Sequence, residues 1–231
     1  MEIPDRAGVM VLSGACLFPQ ALLPLFIFEP RYRQMLAASL DGHRMFVIAM
    51  ARPGSTRETP LPVAGLGLVR ASVENDDGTS NLVVQGLSRV RLGKVIRYKP
   101  FRIMQIEPMV TDTAPSLLLT ALEARVLDLV EARLQQGAVT SLSLLAQAAA
   151  GVTPPMEGDI NDKISVESCL KSLRFLDNPS LLADLVALML LSNPLARQII
   201  LQTVVVEERL KQLVRFLLAE VAHGRKEGSE G

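Results

Sequence analysis

The chain has 231 residues, enough for one large domain or two small ones. Apolar residues make up 49% of the sequence, only 4% are aromatic and Trp is absent, so Leu, Val, Ile, Ala and Met must supply the core. The 24 basic and 24 acidic residues cancel, which excludes a global charge attraction to nucleic acid or to an anionic membrane.

The cysteines, the first residues and the apolar runs indicate which cellular compartment to expect. Cys16 and Cys169 lie far apart and neither belongs to a Cys-x-x-Cys pair, so we expect two buried free thiols, no metal and no cofactor. The first residues lack the basic-then-apolar pattern of a signal peptide, which favours the cytoplasm. The run Leu181–Leu191 is interrupted by Asp184 and is too short to cross a bilayer core of about 30 Å. We therefore expect no membrane association.

In the first half, Gly and Pro punctuate short apolar runs, as is typical of a β-domain. Pro30 suits the first position of a helix, which Asp41-Gly42 should end. Asp77-Gly78 predicts a hairpin turn rather than a Ca²⁺ loop. Gly86 and Gly93 suggest bulges that curl the sheet. The strand at 22–28 is predicted to be buried. The predicted strands are 9–12, 22–28, 45–50, 65–73, 81–95 and 101–107.

After residue 113 the apolar period becomes helical. Asn178 is positioned to cap a helix that begins at Pro179, and Glu207-Glu208 suits the start of the last helix. The apolar positions of the last helix keep helical spacing and predict its inner face: Leu210, Leu213, Val214, Leu217, Leu218 and Val221. The pattern therefore predicts an α+β protein. Its predicted helices are 118–130, 142–150, 166–176, one from 179, 194–203 and one from 207, with an exposed loop at 151–158.

Three segments carry a family resemblance. An apolar run ends in Glu29-Pro30-Arg31-Tyr32, and Gly86-Leu87-Ser88-Arg89-Val90-Arg91 is similar to a Gly-x-x-Arg-Phe-Arg signature. Leu182-Ala183-Asp184 and Val206-Glu207-Glu208-Arg209-Leu210 follow in the expected order. Together they resemble the amino-terminal domain of Lon protease, the part that engages substrates.

The resemblance implies a PUA-like β pseudo-barrel over residues 1–113, followed by an α-helical bundle over residues 114–231. It also implies a non-enzymatic module that binds unfolded or extended polypeptide, as an adaptor or regulator in protein quality control. The sequence lacks the Gly-x-x-x-x-Gly-Lys-Ser/Thr phosphate loop of an ATPase. A separate protease or ATPase partner is therefore expected, and the zero net charge favours a homo-oligomer.

The candidate peptide-binding residues are Phe28, Glu29, Arg31 and Tyr32. Glu29 and Arg31 can form a charge pair that contacts peptide. In the alternative interpretation, Glu29 caps or complements the helix N-terminus and Arg31 pairs with it or with the barrel. Tyr32 is either a packing residue or a stacking platform.

A different class of function rests on the segment Arg89–Arg102, which holds six basic residues and no acidic one. Because PUA-like folds include RNA binders, Arg89, Arg91, Lys94 and Arg97 are candidates for phosphate contact. In the alternative interpretation they form a solvated strand face that discourages edge-to-edge aggregation. Nucleic acid is the less favoured partner, since few aromatic residues are interleaved with the charges.

Overall fold

The computed structural model describes residues 2–112, 115–136 and 166–227. The chain divides into two compact units, Met1–Val110 and Thr111–Gly231. The predicted helix at 142–150, the predicted loop at 151–158 and the predicted boundary between residues 113 and 114 lie outside the described residues.

The first unit is a closed sheet with one extra strand. Its strands run in the order β2-β5-β4-β3-β1-β6, and β5 also pairs with β6, so β2 alone stays outside the closure. Only β1 and β3 are parallel. This arrangement confirms the predicted pseudo-barrel. The strands are β1 (Arg6–Leu12), β2 (Leu22–Ile27), β3 (Met45–Met50), β4 (Val63–Glu74), β5 (Ser80–Arg97) and β6 (Ile103–Pro108).

The long strand β5 makes closure feasible because it pairs with three strands in succession. The pairing of β4 with β5 shifts where Gly67 faces Gly86, and the pairing of β5 with β6 shifts between Leu92 and Val95. These irregularities lie at Gly86 and around Gly93, as predicted. Bulges increase the local twist and bend a strand, and they allow β5 to turn from one partner to the next.

The barrel interior is filled by apolar side chains from every strand except β2. Val90, which stands where the resembled signature has Phe, belongs to this core and is fully buried. The core side chains are Ala7, Val9, Val11, Met45, Val47, Ala49, Ala64, Leu66, Leu68, Val90, Met104 and Ile106.

The hairpin between β4 and β5 turns at Gly78, as predicted. Gly78 has φ +75° and its N–H donates to the carbonyl of Asn75 over 2.8 Å. Thr79 donates its hydroxyl to an Asp77 carboxylate oxygen over 2.6 Å. Asp77 also accepts from the Thr79 N–H over 2.9 Å, so its carboxylate stabilises the turn.

Helix α1 (Pro30–Leu40) joins β2 to β3. Pro30 occupies the first turn, and Tyr32, Met35 and Leu36 are buried, as the apolar pattern predicts. Glu29 is extended at the N-cap but its side chain makes no capping hydrogen bond. The interpretation of Glu29 as a side-chain cap is therefore wrong, whereas its role in complementing the charge of the helix N-terminus stays a prediction.

The second unit is helical. Asn178 caps α4 by accepting from the N–H groups of Ser180 and Leu181, as predicted. Two positions expected to face inward do not do so fully, because Leu218 is exposed and Val214 is only half-buried. The described helices are α2 (Leu117–Gln135), α3 (Val166–Arg174), α4 (Pro179–Leu190), α5 (Pro194–Gln202) and α6 (Val206–Glu227).

A buried ion pair connects α4 to α6. The Arg209 guanidinium lies 3.3 Å from an Asp184 carboxylate oxygen, and both side chains are almost completely buried. Arg209 also donates to the carbonyls of Thr203 and Val204 and to the hydroxyl of Ser180. The Leu-Ala-Asp and Val-Glu-Glu-Arg-Leu segments thus meet through their charged residues.

Candidate functional site

Three large apolar side chains are exposed on one face of the ribbon formed by β2, β5 and β4. Phe26 is 55% exposed, Phe28 is 61% exposed and Val73 is 57% exposed. Phe26 pairs with Asn81 and Asn81 pairs with Val73, so Phe26 and Val73 lie in one row across three strands. We call Phe26, Phe28 and Val73 the ribbon patch.

The two aromatic rings of the ribbon patch stack on each other, with ring centroids 6.0 Å apart and an interplanar angle of 28°. Exposed aromatic side chains provide large contact area and lose little conformational entropy when a ligand covers them. A grouped pair of exposed phenylalanines differs from the scattered apolar residues of an ordinary surface and indicates an interaction site.

Strand β2, which carries Phe26 and ends one residue before Phe28, is the open edge of the sheet. It pairs with β5 only, and it contains Pro24, which has no N–H to donate. Proline in a strand is typical of an edge and blunts pairing with a further strand. The geometry thus favours side-chain contact at the ribbon patch over recognition by continuous backbone pairing.

The expectation of a buried strand at 22–28 is wrong. Within β2 only Ile27 is buried, whereas Phe26 and Pro24 are exposed. The run is uniformly apolar, so its composition hides the alternation of faces that the strand geometry imposes. Phe26 and Val73 are the functional candidates that sequence reasoning missed.

A cluster of charged side chains is centred on Arg31, three residues after Phe28 in the chain. The Arg31 guanidinium donates to Glu29 over 2.8 Å and to Glu58 over 2.5 and 2.9 Å. Arg102 donates to the Glu58 carbonyl over 2.7 Å. The hydrogen bond from Arg31 holds the pKa of Glu58 below its ordinary value, and that same bond raises the pKa of Arg31.

These contacts commit the donors of Arg31 to two carboxylates of the barrel. Exposed pairs of this kind contribute at most about 1 kcal/mol of stability, but they orient the start of α1 against the loop that carries Glu58. The contacts favour a positioning role for Glu29 and Arg31, in agreement with the interpretation that Arg31 pairs with Glu29 or with the barrel.

Tyr32 is 6% exposed, and its hydroxyl is hydrogen-bonded to the N–H and the carbonyl of Val11, each at 3.2 Å. Burial raises its pKa above the ordinary value. A side chain enclosed in this way cannot act as a stacking platform, so Tyr32 is a packing residue.

The proposed nucleic-acid residues are not exposed together. Arg89 is only 2% exposed, whereas Arg91, Lys94 and Arg97 are exposed. The guanidinium carbon of Arg97 lies 5.0 Å from the centroid of the Phe101 ring. Burial removes Arg89 from contact with phosphates and leaves a shorter row of cations than the sequence suggested.

Within residues 2–112, 115–136 and 166–227, no three His, Cys, Asp or Glu side chains are grouped to hold a metal ion. No helix of this described part is both long and apolar enough to cross a membrane. Cys16 and Cys169 are buried and free, as predicted.

A curled sheet that carries the exposed ribbon patch, together with a helical unit, defines an α+β protein with a surface suited to binding. Residues 7–219 match the model of the ATP-dependent protease La (LON) substrate-binding domain. The chain belongs to that family, which confirms the resemblance drawn from its motifs.

Relatives that match nearly the whole of this chain agree with this assignment. The chain is 23% identical over 225 residues to a Lon protease of Desulfosudis oleivorans, covering 94% of the chain and 24% of that protein. It is 25% identical over 225 residues to a Lon protease of Dictyoglomus thermophilum, covering 95% of the chain and 25% of that protein. The chain thus spans about a quarter of the length of these relatives.

Solved structures show the same fold. The N-terminal domain of a Mycobacterium avium complex Lon protease superposes with a TM-score of 0.62 at 19% identity, covering 92% of this chain and 97% of that one. A Lon N-terminal domain protein from Xanthomonas campestris gives 0.57 at 18% identity, covering 91% and 98%. The Lon substrate-binding domain is a non-catalytic module, and membership of its family supports a substrate-recognition role for this chain.

Proposed function

We propose that the protein captures unfolded or extended polypeptide segments through the ribbon patch, Phe26, Phe28 and Val73. The observation that carries this proposal is the exposure of two stacked phenylalanines and a valine on one face of the ribbon, within a family of substrate-binding domains. Apolar side chains of an unfolded segment would cover this surface.

The size of the patch sets the expected strength of binding. Fully burying one Phe or Val side chain is worth about 1.5–3 kcal/mol, and each of the three begins little more than half exposed. The patch therefore contributes roughly 3–4 kcal/mol, from which the ordering of a disordered partner is subtracted. Further contacts are needed for micromolar affinity, and exchange of bound segments should be fast.

Weak and exchangeable capture suits an adaptor or regulator that delivers polypeptide to a protease or an ATPase. The relatives that contain this region are Lon proteases, which supports such a partner. The two free buried thiols fit a reducing compartment such as the cytoplasm.

The test measures binding to a labelled protein that has been reduced and alkylated, so that it cannot refold. Phe26→Ser combined with Phe28→Ser should weaken binding by about tenfold, since it removes about 1.4 kcal/mol or more of contact energy. Phe175→Ser is the matched control, because Phe175 is exposed in the helical unit. Unchanged binding by the double variant, or equal losses in both proteins, would refute the assignment to the ribbon patch.

The same preparation decides the nucleic-acid alternative. Replacing Arg91, Lys94 and Arg97 by Gln should leave polypeptide binding intact. Binding of single-stranded RNA that falls steeply with salt and is lost in this triple variant would instead favour an RNA-binding module.

A further inference from the structure

A groove of about 620 Å³ lies between α1 and the hairpin of β4 and β5. Its lining combines apolar side chains of α1 with polar side chains of the hairpin, and it includes two arginines. The lining residues that matter here are Arg33, Ala37, Leu40, Arg44, Ser72 and Glu74. We call it the α1 groove.

The α1 groove and the ribbon patch occupy opposite faces of the same ribbon. Neighbouring strand residues point to opposite faces, and Ser80 and Glu74, which pair with each other, line the groove. Asn81 and Val73, one residue away on each strand, form the row that includes Phe26. A ligand in the groove therefore does not occupy the ribbon patch.

Arg44 is held at the groove by an unusual backbone conformation. Its φ is +60°, a left-handed value that disfavours any residue with a Cβ except Asn and Asp. Its N–H donates to Ser39 over 2.7 Å, and its carbonyl accepts from Val69 over 2.8 Å. Gly or Asn would satisfy this backbone at lower cost, and the Arg at this position contributes to the lining of the groove.

The Arg44 side chain is exposed, it is held in place by a hydrogen bond, and its positive charge is available to a ligand. Its Nε donates to the Val69 carbonyl over 3.3 Å. No carboxylate of the described residues forms an ion pair with it. The terminal N–H groups of this guanidinium can therefore donate to an anionic partner.

Arg33 provides a second cation in the groove. Its guanidinium lies directly against Gly78, where an added Cβ would overlap it. Asp77 contributes negative charge near Arg33, and Glu74 lines the groove at the same end of the hairpin. The hairpin end is thus mixed in charge, whereas the end near Val69 has Arg44 as its lining cation.

The spacing of these ends matches an extended peptide. Val69, which contacts Arg44, and Glu74 are five residues apart on β4, or roughly 16 Å at the usual strand rise. About five residues of extended chain span that length, and the side chains of Ala37 and Leu40 supply an apolar wall.

We propose that the α1 groove binds an extended polypeptide segment that carries an acidic side chain, whose carboxylate pairs with Arg44. This inference rests on the proposed function, because it names a feature of the captured polypeptide. Arg–carboxylate pairs are strong because the planar guanidinium can donate two parallel hydrogen bonds.

The experiment compares three labelled peptides of about nine residues that span the groove with margin. The first has a central Glu and blocked ends, the second has Gln in its place, and the third is the Gln peptide with a free C-terminal carboxylate. Wild-type protein should bind the Glu peptide about fivefold more tightly than either other peptide.

Arg44→Asn should reduce this preference to less than about twofold. Its melting temperature should stay within about 4 °C of wild type, because Asn tolerates the left-handed backbone. Arg70→Asn is the matched control and should retain the preference, because Arg70 follows Val69 on β4 but lies outside the groove lining.

Three results would overturn the groove proposal: equal binding of the Glu and Gln peptides, a preference that survives Arg44→Asn, or a preference for the free C-terminal carboxylate. Phe26→Ser with Phe28→Ser should leave the binding of both peptides and their ratio unchanged, because the ribbon patch lies on the opposite face of the ribbon. If neither peptide binds wild type, the groove proposal fails by itself, whereas the proposed function fails when the labelled unfolded protein does not bind or binds the Phe26→Ser, Phe28→Ser variant unchanged.

Discussion

Replacing Arg209 by Met removes the charged centre of the helical unit. Arg209 is completely buried and donates to Thr203, Val204 and Ser180 besides its pairing with Asp184. Met has a similar apolar length but no donor. The variant therefore removes the guanidinium donor from a buried carboxylate and two carbonyls.

The magnitude follows from the burial of both charges. Removing one member of a buried pair costs about 3–5 kcal/mol, because the remaining charge stays desolvated and loses the opposite charge of its partner. A typical domain has a net stability of about 5–15 kcal/mol, so Arg209→Met should remove a large share of it. Asp184→Asn keeps the shape of the side chain and should cost less, about 1–3 kcal/mol.

Urea unfolding followed by far-ultraviolet circular dichroism provides the assay. The chain has no Trp, and most of the described helices belong to the unit that contains Arg209, so the helical signal reports on it. The double variant should lose less than the sum of the single losses, with a coupling energy of about 1–3 kcal/mol. A loss below about 1 kcal/mol for Arg209→Met, or strict additivity, would refute the argument.

Three further predictions concern backbone packing, a buried hydroxyl and a helix cap. Gly86→Ala should destabilise the barrel by about 3 kcal/mol, since a Cβ there would overlap the Phe18 carbonyl; urea unfolding measures the loss. Tyr32→Phe should cost about 1 kcal/mol by removing the bonds to Val11. Because burial raises the Tyr32 pKa, its contribution is complete below the unfolded value of about 10 and is lost as pH rises through the folded value, so wild type should lose more stability above that pH than the variant. Asn178→Ala should cost about 1 kcal/mol, measured by thermal unfolding, because it removes the acceptor that caps α4.

Each of these predictions has a matched control. Gly54→Ala meets open space at φ +73° and should cost only the backbone penalty of about 1–2 kcal/mol. Tyr98→Phe alters an exposed ring and should change stability by less than about 0.5 kcal/mol. Asn178→Asp keeps the capping oxygen and should retain most of the stability. Losses that do not differ between variant and control would contradict the corresponding argument.

Local chemistry was sufficient to predict most of the elements. The turn at Gly78, the proline at the start of α1 and the cap at Asn178 depend on residues within one turn of the chain, so their neighbours along the sequence decide them. The bulge near Gly86 was also predicted, since a glycine inside a strand has few other uses.

Exposure was harder to predict from the same patterns. A period of two or of 3.6 residues identifies the faces of an element, but the neighbouring elements determine which face is covered. Arg89 was expected on an outer face and is buried, whereas Leu218 was expected inside and is exposed. Phe26 was hidden in a run with no polar residue to mark its outward side.

The amino-acid sequence by itself determined the fold class, the family and the order of the elements, because these depend on short-range periodicity and turn chemistry. Only the tertiary structure decided the sites. The row that joins Phe26 to Val73 is set by strand register, the pairing of Asp184 with Arg209 by helix packing, and the placement of Arg44 at the α1 groove by a fold that brings α1 beside the hairpin. These contacts join residues that are distant in the chain, and folding brings them together through the burial of apolar surface that local patterns do not record.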